Sequence, residues 1–254
     1  MDYRTRIDRI GRTNTNKYGS KMTIVEYNNA NNIVVKFEDG HTVNSAYKEF
    51  KKGIVSNPFD KTVYGVGYLG VGKYKVSKDK EFNIRYKHWN SMLQRCYDEQ
   101  YHNKRISYSD CKVCEEWHNF QTFAEWYDEN YYTIDNEKMC LDKDILNKGN
   151  KVYSPNNCIF VPEHINTLFC KRQNDRGEYP IGVNIHKKTG HFEARCSTLE
   201  GRIYLGVYDT PTQAYKVYKD YKEKYIKKMA DIYKGKIPIE LYKAMYKYKV
   251  DIND

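Results

Sequence analysis

The sequence lacks any long apolar run, and its mean hydropathy of −0.89 is that of a strongly polar chain. Nowhere does it approach the ~18 consecutive apolar residues that a membrane-spanning helix needs. The opening segment, MDYRTRIDRIGR, is charged throughout and lacks the apolar stretch of a secretory signal peptide. We therefore expect a cytoplasmic protein with no membrane partner.

Cysteine pairs are also scarce, because the seven cysteines are scattered and odd in number. That usage does not indicate a disulfide framework. Cys111 and Cys114 are closely spaced, and with Cys140 and Cys158 they could supply four thiolates, but a structural zinc site normally brings two close pairs. We expect buried thiols, with zinc at Cys111 and Cys114 as the alternative.

What the chain has in excess is positive charge, with a net charge of +10 and a pI near 9.0. Residues 1–79 carry 14 basic against 8 acidic side chains, residues 80–170 carry 11 against 14, and residues 171–254 carry 18 against 11. Two basic arms around a slightly acidic centre are typical of a nucleic-acid binder that also holds a carboxylate-bearing metal site. Ordinary solvated surface would also be lysine-rich, so the charge only supports a nucleic-acid partner, either DNA or RNA.

The pattern along the chain predicts an α+β fold in three regions. Residues 1–72 form a small basic β module with alternating strands at 21–27 and 33–37, followed by a glycine-rich linker at 63–72. The linker has G-x-G spacing without a strand-to-helix context, which excludes a dinucleotide site. Residues 73–170 form a centre in which helices flank a ββα finger, and residues 171–254 form a three-stranded sheet followed by a long helix.

The centre is organised around residues 140–169, whose pattern predicts a strand, a loop, a second strand and a helix. The first strand ends at Leu141-Asp142, the loop is closed by Ser154-Pro155-Asn156-Asn157, and a strand at 158–161 leads to a helix entered through Pro162. Such a unit is too small to bury a core alone, so its usual role is to hold polar side chains around a metal and a phosphate. Segments 84–97 and 115–127 have apolar residues at helical spacing and are expected to pack on it.

This centre resembles the phage version of the HNH nuclease finger, whose pattern runs LDR-x-D, then G-x-Y-x-P-x-N-C, then a helix carrying Asn. The matching positions in the finger are Asp142, Lys143, Asp144, Tyr153, Pro155, Asn157, Cys158 and Asn166. The preceding helices match at Trp89, Met92, Arg95, Cys96 and Tyr97, and at Val113, Cys114, Trp117, Phe120 and Phe123. The resemblance spans about residues 85–169, and it implies that Asp142 and Asn166 ligate a divalent cation such as Mg²⁺ while Asn157 pins the loop.

The sequence departs from that family at the residue after Asp142. There the family carries the histidine that serves as general base, whereas this chain carries Lys143. A lysine near its ordinary pKa of about 10.4 is protonated at neutral pH and cannot accept a proton from the attacking water. We therefore expect a degenerate finger with Asp142, Lys143, Asn157 and Asn166 as its vestigial site, which requires no cofactor and uses Mg²⁺ only if it is active. A replacement base would have to come in from the helices, at His88, His102 or His118.

The last region predicts three strands and one long helix. Strands at 179–186, 191–196 and 202–208 are joined by tight turns, and Asp209-Thr-Pro-Thr then caps the helix. One helix face is rich in lysine. The opposite face, which we expect to be core rather than a stacking platform, carries Ala214, Tyr218, Tyr221, Tyr225, Met229 and Ile232.

This region resembles an APETALA2-type DNA-binding domain, with phenylalanine in place of the usual tryptophan at residue 192. The matching segments are Gly182-Val183, Phe192-x-Ala194-Arg195, Leu205-Gly206-x-Tyr208 and Ala214-x-x-Val217-Tyr218. Domains of that type lay their sheet into the major groove, which implies candidate contacts at Lys187, Lys188, His191, Arg195, Arg202 and Tyr204. Successive strand positions point to opposite faces, so not all six can touch at once.

Phage homing endonucleases commonly join these two parts, and the whole chain resembles that assembly. The resemblance implies a phage protein that acts on nucleic acid in the cytoplasm of the host cell. Two classes of function follow: a site-specific, metal-dependent DNA endonuclease, or a catalytically inert nucleic-acid binder derived from one. Lys143 favours the binder, which could serve as a DNA-binding protein or as an anti-CRISPR inhibitor that holds RNA or a host-defence ribonucleoprotein.

Overall fold

The computed structural model describes residues 8–78, 81–170 and 178–252. The chain forms two compact units, residues 1–129 and residues 130–254. The division into three regions, with boundaries after residues 72 and 170, stays a prediction, and the segment 171–177 lies outside the described residues.

The first unit begins with strands and continues with helices. In chain order it contains β1 (Thr13–Thr15), β2 (Lys21–Asn29), β3 (Asn32–Phe37), β4 (Thr42–Ser45), α1 (Tyr47–Lys52), β5 (Ser77–Lys78), β6 (Glu81–Phe82), α2 (Ile84–Tyr97), α3 (Glu99–Lys104), β7 (Lys112–Val113) and α4 (Phe120–Asn130). Single 3₁₀ turns occur at Ile106–Tyr108 and Glu115–His118.

The β module at the start of this unit is an antiparallel sheet in the order β1-β2-β3-β4, which confirms the predicted small β module. Its buried face follows the period-two pattern of the sequence, since alternate side chains on a strand point to opposite faces. The residues that form this core, together with Phe50 and Val55, are Met22, Ile24, Tyr27, Ile33, Val35 and Phe37. The register of β2 against β3 shifts between Ile24 and Glu26.

The glycine-rich segment 63–72 packs closely against other residues of its own unit. A Cβ at Gly67 would lie 2.5 Å from Cδ1 of Leu93, and one at Gly72 would lie 2.3 Å from Oε1 of Gln121. Gln121 fixes the segment, because its Nε2 donates to the Leu69 carbonyl at 3.1 Å and its Oε1 accepts from the Tyr74 N–H at 3.0 Å. These glycines therefore serve a close approach that no larger side chain permits.

The helices of the first unit surround an aromatic core. Trp89 of α2, Trp117 of the second 3₁₀ turn, and Phe120 and Phe123 of α4 are fully buried. The Trp89 Nε1–H donates to the Trp117 carbonyl at 2.7 Å, which satisfies the indole inside the core. The helical spacing of the apolar residues in both segments thus predicted the buried faces.

The second unit contains the finger and the C-terminal sheet. In chain order it contains β8 (Met139–Asp142), β9 (Val152–Tyr153), β10 (Ile159–Pro162), α5 (Glu163–Leu168), β11 (Val183–Ile185), β12 (Phe192–Thr198), β13 (Gly201–Tyr208), α6 (Pro211–Ile232) and α7 (Ile239–Lys247). β8 and β10 pair antiparallel, with Asp142 opposite Ile159 and Met139 opposite Pro162. This matches the predicted order of strand, loop, strand and helix.

The C-terminal part is an antiparallel sheet in the order β11-β12-β13, followed by the long helix α6. The helix starts with a capping box: Thr210 Oγ1 accepts from the Gln213 N–H at 3.3 Å, and Gln213 Oε1 accepts from the Thr210 N–H at 3.2 Å. Pro211 occupies the first helical turn, where its missing N–H costs nothing. The predicted helix start is therefore confirmed.

The buried face of α6 contributes to two hydrophobic cores, one at each half of the helix. Ala214, Tyr215 and Tyr218 pack with Ala194 and Cys196 of the sheet. The second half of the helix packs with β10 and α5, through Tyr225, Ile226, Met229 and Ala230. The prediction was wrong for Ile232, which is 55% exposed because it lies at the edge of the helix face that Met229 and Tyr233 bury.

The observed fold class is the predicted one, a mixed α+β chain with an N-terminal antiparallel sheet and a C-terminal three-stranded sheet plus long helix. Across the described ranges, no helix combines the length and apolar character needed to cross a membrane.

Candidate nucleic-acid interface and nuclease-like finger

Three of the six predicted contact residues lie on one face of the C-terminal sheet. Ala194 and Cys196 point toward α6 and are fully buried, so Arg195 between them points away from the helix. Arg195 pairs with Tyr204 across β12 and β13, and Ser197 pairs with Arg202. Residues directly opposite each other share a face. Arg195, Arg202 and Tyr204 are therefore together on the face away from α6.

A β-bulge puts Arg202 and Tyr204 on this face. The register passes from Ala194 opposite Gly206 to Arg195 opposite Tyr204, which leaves Leu205 as an extra residue in β13. An extra residue reverses the side to which every following position points. Without it, Tyr204 would lie opposite Cys196 on the buried face. Instead the Tyr204 side chain is 56% exposed.

The Arg195 guanidinium is held by two neighbours on the same face. Its Nη2 lies 3.0 Å from Glu193 Oε2, and its Cζ lies 5.9 Å from the centre of the Tyr204 ring. The Arg195 Nε is buried and has no hydrogen-bond partner within the part of the chain that the structure describes. The Arg195 side chain is therefore oriented by the Glu193 carboxylate and the Tyr204 ring, while its Nε–H donates no hydrogen bond within the described part of the chain.

The other candidates differ in how far they are engaged. Lys187 and Lys188 are exposed in the turn between β11 and β12, where the Gly190 N–H donates to the His186 carbonyl at 2.9 Å. His191 faces Asp209, with 3.2 Å between Nδ1 and Oδ1. Arg202 is exposed and forms no ion pair among residues 8–78, 81–170 and 178–252. Arg202 and the two turn lysines thus offer charges that no carboxylate of the described chain neutralises.

Sequence reasoning missed the acidic partners of two candidates, Glu193 beside Arg195 and Asp209 beside His191. Glu193 precedes Arg195 by two residues on one strand, a spacing that always places two side chains on the same face. That spacing could have identified Glu193 as the ion-pair partner. Its burial could not be read from the sequence, because it depends on the neighbouring strands.

At the end of β8, the first strand of the finger, Asp142 caps the turn that follows. Its Oδ1 accepts from the Asp144 N–H at 2.9 Å and from the Ile145 N–H at 2.7 Å. Burial and, next, the charge of Asp144 raise the pKa of Asp142 to about 6, against the lowering effect of the two amides and of Lys143. One oxygen of the predicted metal ligand is therefore already committed to the backbone.

Lys143, which stands where the HNH pattern that the sequence resembles has its histidine, is buried, with 7% of its surface exposed. Its Nζ lies 3.1 Å from Asp144 Oδ2 and 5.8 Å from the centre of the Tyr153 ring. Asp142, Lys143 and Asp144 thus form a compact group of two carboxylates and one ammonium. A protonated lysine is only a hydrogen-bond donor and has no lone pair with which to accept a proton.

The loop between β8 and β10 is closed by three asparagines. Asn150 Nδ2 donates to the carbonyls of Lys143 at 2.7 Å and Val152 at 2.8 Å. Asn157 Nδ2 donates to Asn150 Oδ1 at 3.3 Å, and Asn157 Oδ1 accepts from Asn147 Nδ2 at 3.1 Å. Asn157 therefore has the loop-pinning contacts that the resemblance implies, and Asn150 is the partner that the pattern did not single out.

Asn166, the other implied metal ligand, is partly buried on α5, where its backbone carbonyl accepts from the Phe169 N–H at 3.1 Å. Within the described ranges, no group of three or more His, Cys, Asp or Glu side chains is placed to hold a metal ion. The zinc alternative at Cys111 and Cys114 stays a prediction; both residues are thiols here, Cys111 buried and Cys114 partly buried.

The histidines considered as replacement bases have contacts inside the first unit. His102 Nε2 lies 2.9 Å from the Arg95 carbonyl, and His118 Nε2 lies 3.4 Å from the Tyr97 hydroxyl. Burial lowers the pKa of His118. The His88 ring lies 5.5 Å from that of Tyr127. Each of these three imidazoles is thus in contact with its own unit.

The imidazole of the finger helix, His164, was not considered from the sequence. Its Nε2 lies 2.8 Å from Glu137 Oε2, and Glu137 Oε1 accepts from the Tyr233 hydroxyl at 2.7 Å. Glu137 lies two residues before β8, whereas Asp142 ends it, so at least the length of the strand, about 10 Å, separates the two residues. His164 therefore does not supply a base beside Asp142.

Comparisons of the chain with protein-family models, with curated proteins and with solved structures gave no match. The likenesses to the HNH finger and to the APETALA2-type domain thus depend on the residues named above.

Proposed function

We propose that this chain is a nucleic-acid-binding protein that contacts its target through the exposed face of the sheet β11-β12-β13. The observation that carries the proposal is the grouping of Arg195, Arg202 and Tyr204 on the face away from α6. Guanidinium groups pair with phosphates or with base edges, and an exposed tyrosine ring offers a stacking surface. The exposed turn lysines Lys187 and Lys188 add phosphate-binding charge at one end of the sheet.

We propose further that the finger is an inert remnant of an HNH nuclease site that now serves as scaffold. Two observations support this part. Lys143 is buried beside Asp144, in the position of a general base, and Asp142 gives one oxygen to two backbone amides. A protonated lysine cannot take the proton of an attacking water, so the step that the family performs has no base here.

The binding proposal is tested by replacing Arg195 and Arg202 together with alanine in the full chain. Affinity for duplex and single-stranded probes should fall by about 2 kcal/mol or more, because two charged contacts are removed. The plot of log affinity against log salt should also become less steep, by about 0.9 for each lost phosphate contact on a duplex. A matched control is the pair Lys48→Gln and Lys51→Gln on α1, which removes the same charge elsewhere. Unchanged affinity in the Arg195/Arg202 variant would move the interface to another surface.

The inert finger is tested by incubating the wild-type protein with duplex and single-stranded substrates and Mg²⁺ or Mn²⁺. No cleavage is expected, while Lys143→His should restore weak nicking, since Asp142 and Asn166 still offer oxygen ligands. The decisive opposing result is metal-dependent cleavage by the wild type that disappears in Asp142→Ala. It would mean that another group serves as base and that the protein is an endonuclease.

A further inference from the structure

The long helix α6 carries a second concentration of positive charge. Its C-terminal half presents an open, shallow groove along one helix face, and the residues that line it are Lys224, Lys227, Lys228, Asp231 and Ile232. None of the three lysines forms an ion pair within the described part of the chain. Lysines three and four residues apart on a helix repel each other by about 0.2–0.5 kcal/mol per pair. An anionic ligand would relieve this repulsion between the lysines, so the cluster is a favourable site for one.

The two carboxylates near these lysines, Asp231 and Glu200, accept hydrogen bonds from tyrosine hydroxyls. Asp231 accepts from the Tyr246 hydroxyl at 2.6 Å and 2.7 Å and from the Tyr242 hydroxyl at 3.1 Å. Glu200, whose charge acts on Lys228, accepts from the Tyr225 hydroxyl at 2.9 Å. Neither carboxylate lies within ion-pair distance of the three lysines in the described part of the chain. The three ammonium groups are therefore not held in ion pairs there.

The groove lies on the opposite side of the module from the exposed sheet face. Lys224 follows the buried Lys222 by two residues, a rotation of about 200° around the helix axis. The buried side of α6 packs against the inner face of the sheet through Ala214 and Tyr218. Arg195 points away from α6 on the outer face, so the helix and the sheet separate the two basic surfaces.

We propose that the groove at Lys224, Lys227 and Lys228 binds the phosphate backbone of a second nucleic-acid segment, so that one protein holds two segments at once. This inference rests on the proposed function, in which the sheet holds the first segment. One straight duplex cannot touch both surfaces, because the sheet and a helix of about 10–12 Å lie between them. Lysine ammonium groups bind phosphate as point charges and read no sequence, so the second segment is held irrespective of its bases.

The test is a bridging measurement with the full chain and two short duplexes, one carrying a fluorescence donor and the other an acceptor. The wild type at low salt should bring the two duplexes together and bind two per protein. The variant Lys224→Gln/Lys227→Gln/Lys228→Gln should lower the bridging signal by about tenfold while one duplex remains bound, since charge is removed from one surface only. The corresponding Lys→Arg variant should bridge as the wild type does.

A control of equal charge separates position from net charge. Lys48→Gln/Lys51→Gln/Lys52→Gln removes three charges from α1 in the other unit and should leave bridging intact. Equal bridging by the wild type and the α6 variant would overturn the inference. A second contrary outcome combines two results: the wild type binds only one duplex, and the α6 variant loses binding to phosphatidylserine vesicles. The groove would then bind a membrane surface rather than nucleic acid.

The Arg195→Ala/Arg202→Ala variant distinguishes this inference from the proposed function. If both are right, it loses bridging but still binds one duplex, in a salt-sensitive way, through α6. If it binds two duplexes as the wild type does, the sheet face is not a binding surface and the proposed function is wrong. Whether the groove binds a duplex then depends on the lysine variants alone. Circular dichroism melting of each variant shows whether the fold is kept.

Discussion

The second unit contains two ion pairs between residues that are close in sequence. In one pair the cation is the buried partner, and in the other the carboxylate is the buried partner. Just after β8, the Lys143 side chain is 9% exposed and its partner Asp144 is 46% exposed. On the sheet, Arg195 is 40% exposed and its partner Glu193 is 10% exposed. The two pairs therefore differ in what they leave exposed: the buried ammonium balances carboxylates of its own chain, whereas the guanidinium is open to solvent on the face where we propose that nucleic acid binds.

Removing the buried cation should have the largest effect on stability. Lys143→Ala leaves Asp142 and Asp144 close together without their positive partner, which we expect to lower the free energy of unfolding by about 3 kcal/mol. Lys143→Met keeps the length of the stem and should cost less, because part of the loss in the alanine variant is packing. Urea unfolding followed by circular dichroism measures both. Arg195→Ala is the comparison on the sheet and should change the unfolding free energy by less than either.

The second prediction uses the pKa of Asp142, which burial raises from 3.8 to about 6. Because the pKa is higher in the folded state, the folded protein binds this proton more tightly, and stability falls as the pH rises between about 4 and 6. Asp142→Asn removes the titration but keeps the oxygen that accepts the two amides. It should raise the free energy of unfolding by about 3 kcal/mol at pH 8 and have little effect near pH 4.

Unfolding midpoints in urea at pH 4, 6 and 8 check this expectation. Asp144→Asn removes the second cause of the raised pKa, the neighbouring charge, and should reduce the pH dependence without abolishing it. A stabilisation by Asp142→Asn that is equal at all three pH values would contradict the stated origin of the effect.

How much of this comparison could be predicted depends on the range of the interactions involved. The period-two and helical patterns of single segments predicted the strands at 21–27 and 33–37 and the buried faces of α2 and α6, because each pattern is local. The side to which Arg202 and Tyr204 point depends on the bulge at Leu205, which exists only once β12 and β13 are paired. The burial of Lys143 likewise depends on a loop closed by asparagines seven and ten residues apart.

The exposed ring of the sheet face should contribute less than the charges beside it. Tyr204→Ala removes a stacking surface and should weaken binding of a single-stranded probe by about 1 kcal/mol. Tyr204→Phe keeps the ring and should bind as the wild type does. Fluorescence anisotropy with a single strand and with its duplex measures both variants. An equal loss in Tyr204→Phe would mean that the hydroxyl makes the contact rather than the ring.

The smallest expected effect concerns the buried carboxylate of the exposed pair. Glu193 lies 3.0 Å from Arg195 and repels any phosphate that the arginine binds. At a separation of about 6 Å in water that repulsion is about 0.7 kcal/mol, so Glu193→Gln should bind a duplex about threefold more tightly. The gain should shrink as salt screens the charges. Glu240→Gln on α7 removes the same charge from another surface and should change affinity less. Weaker binding by Glu193→Gln would show that the carboxylate positions Arg195 and that its orienting effect outweighs its repulsion of phosphate.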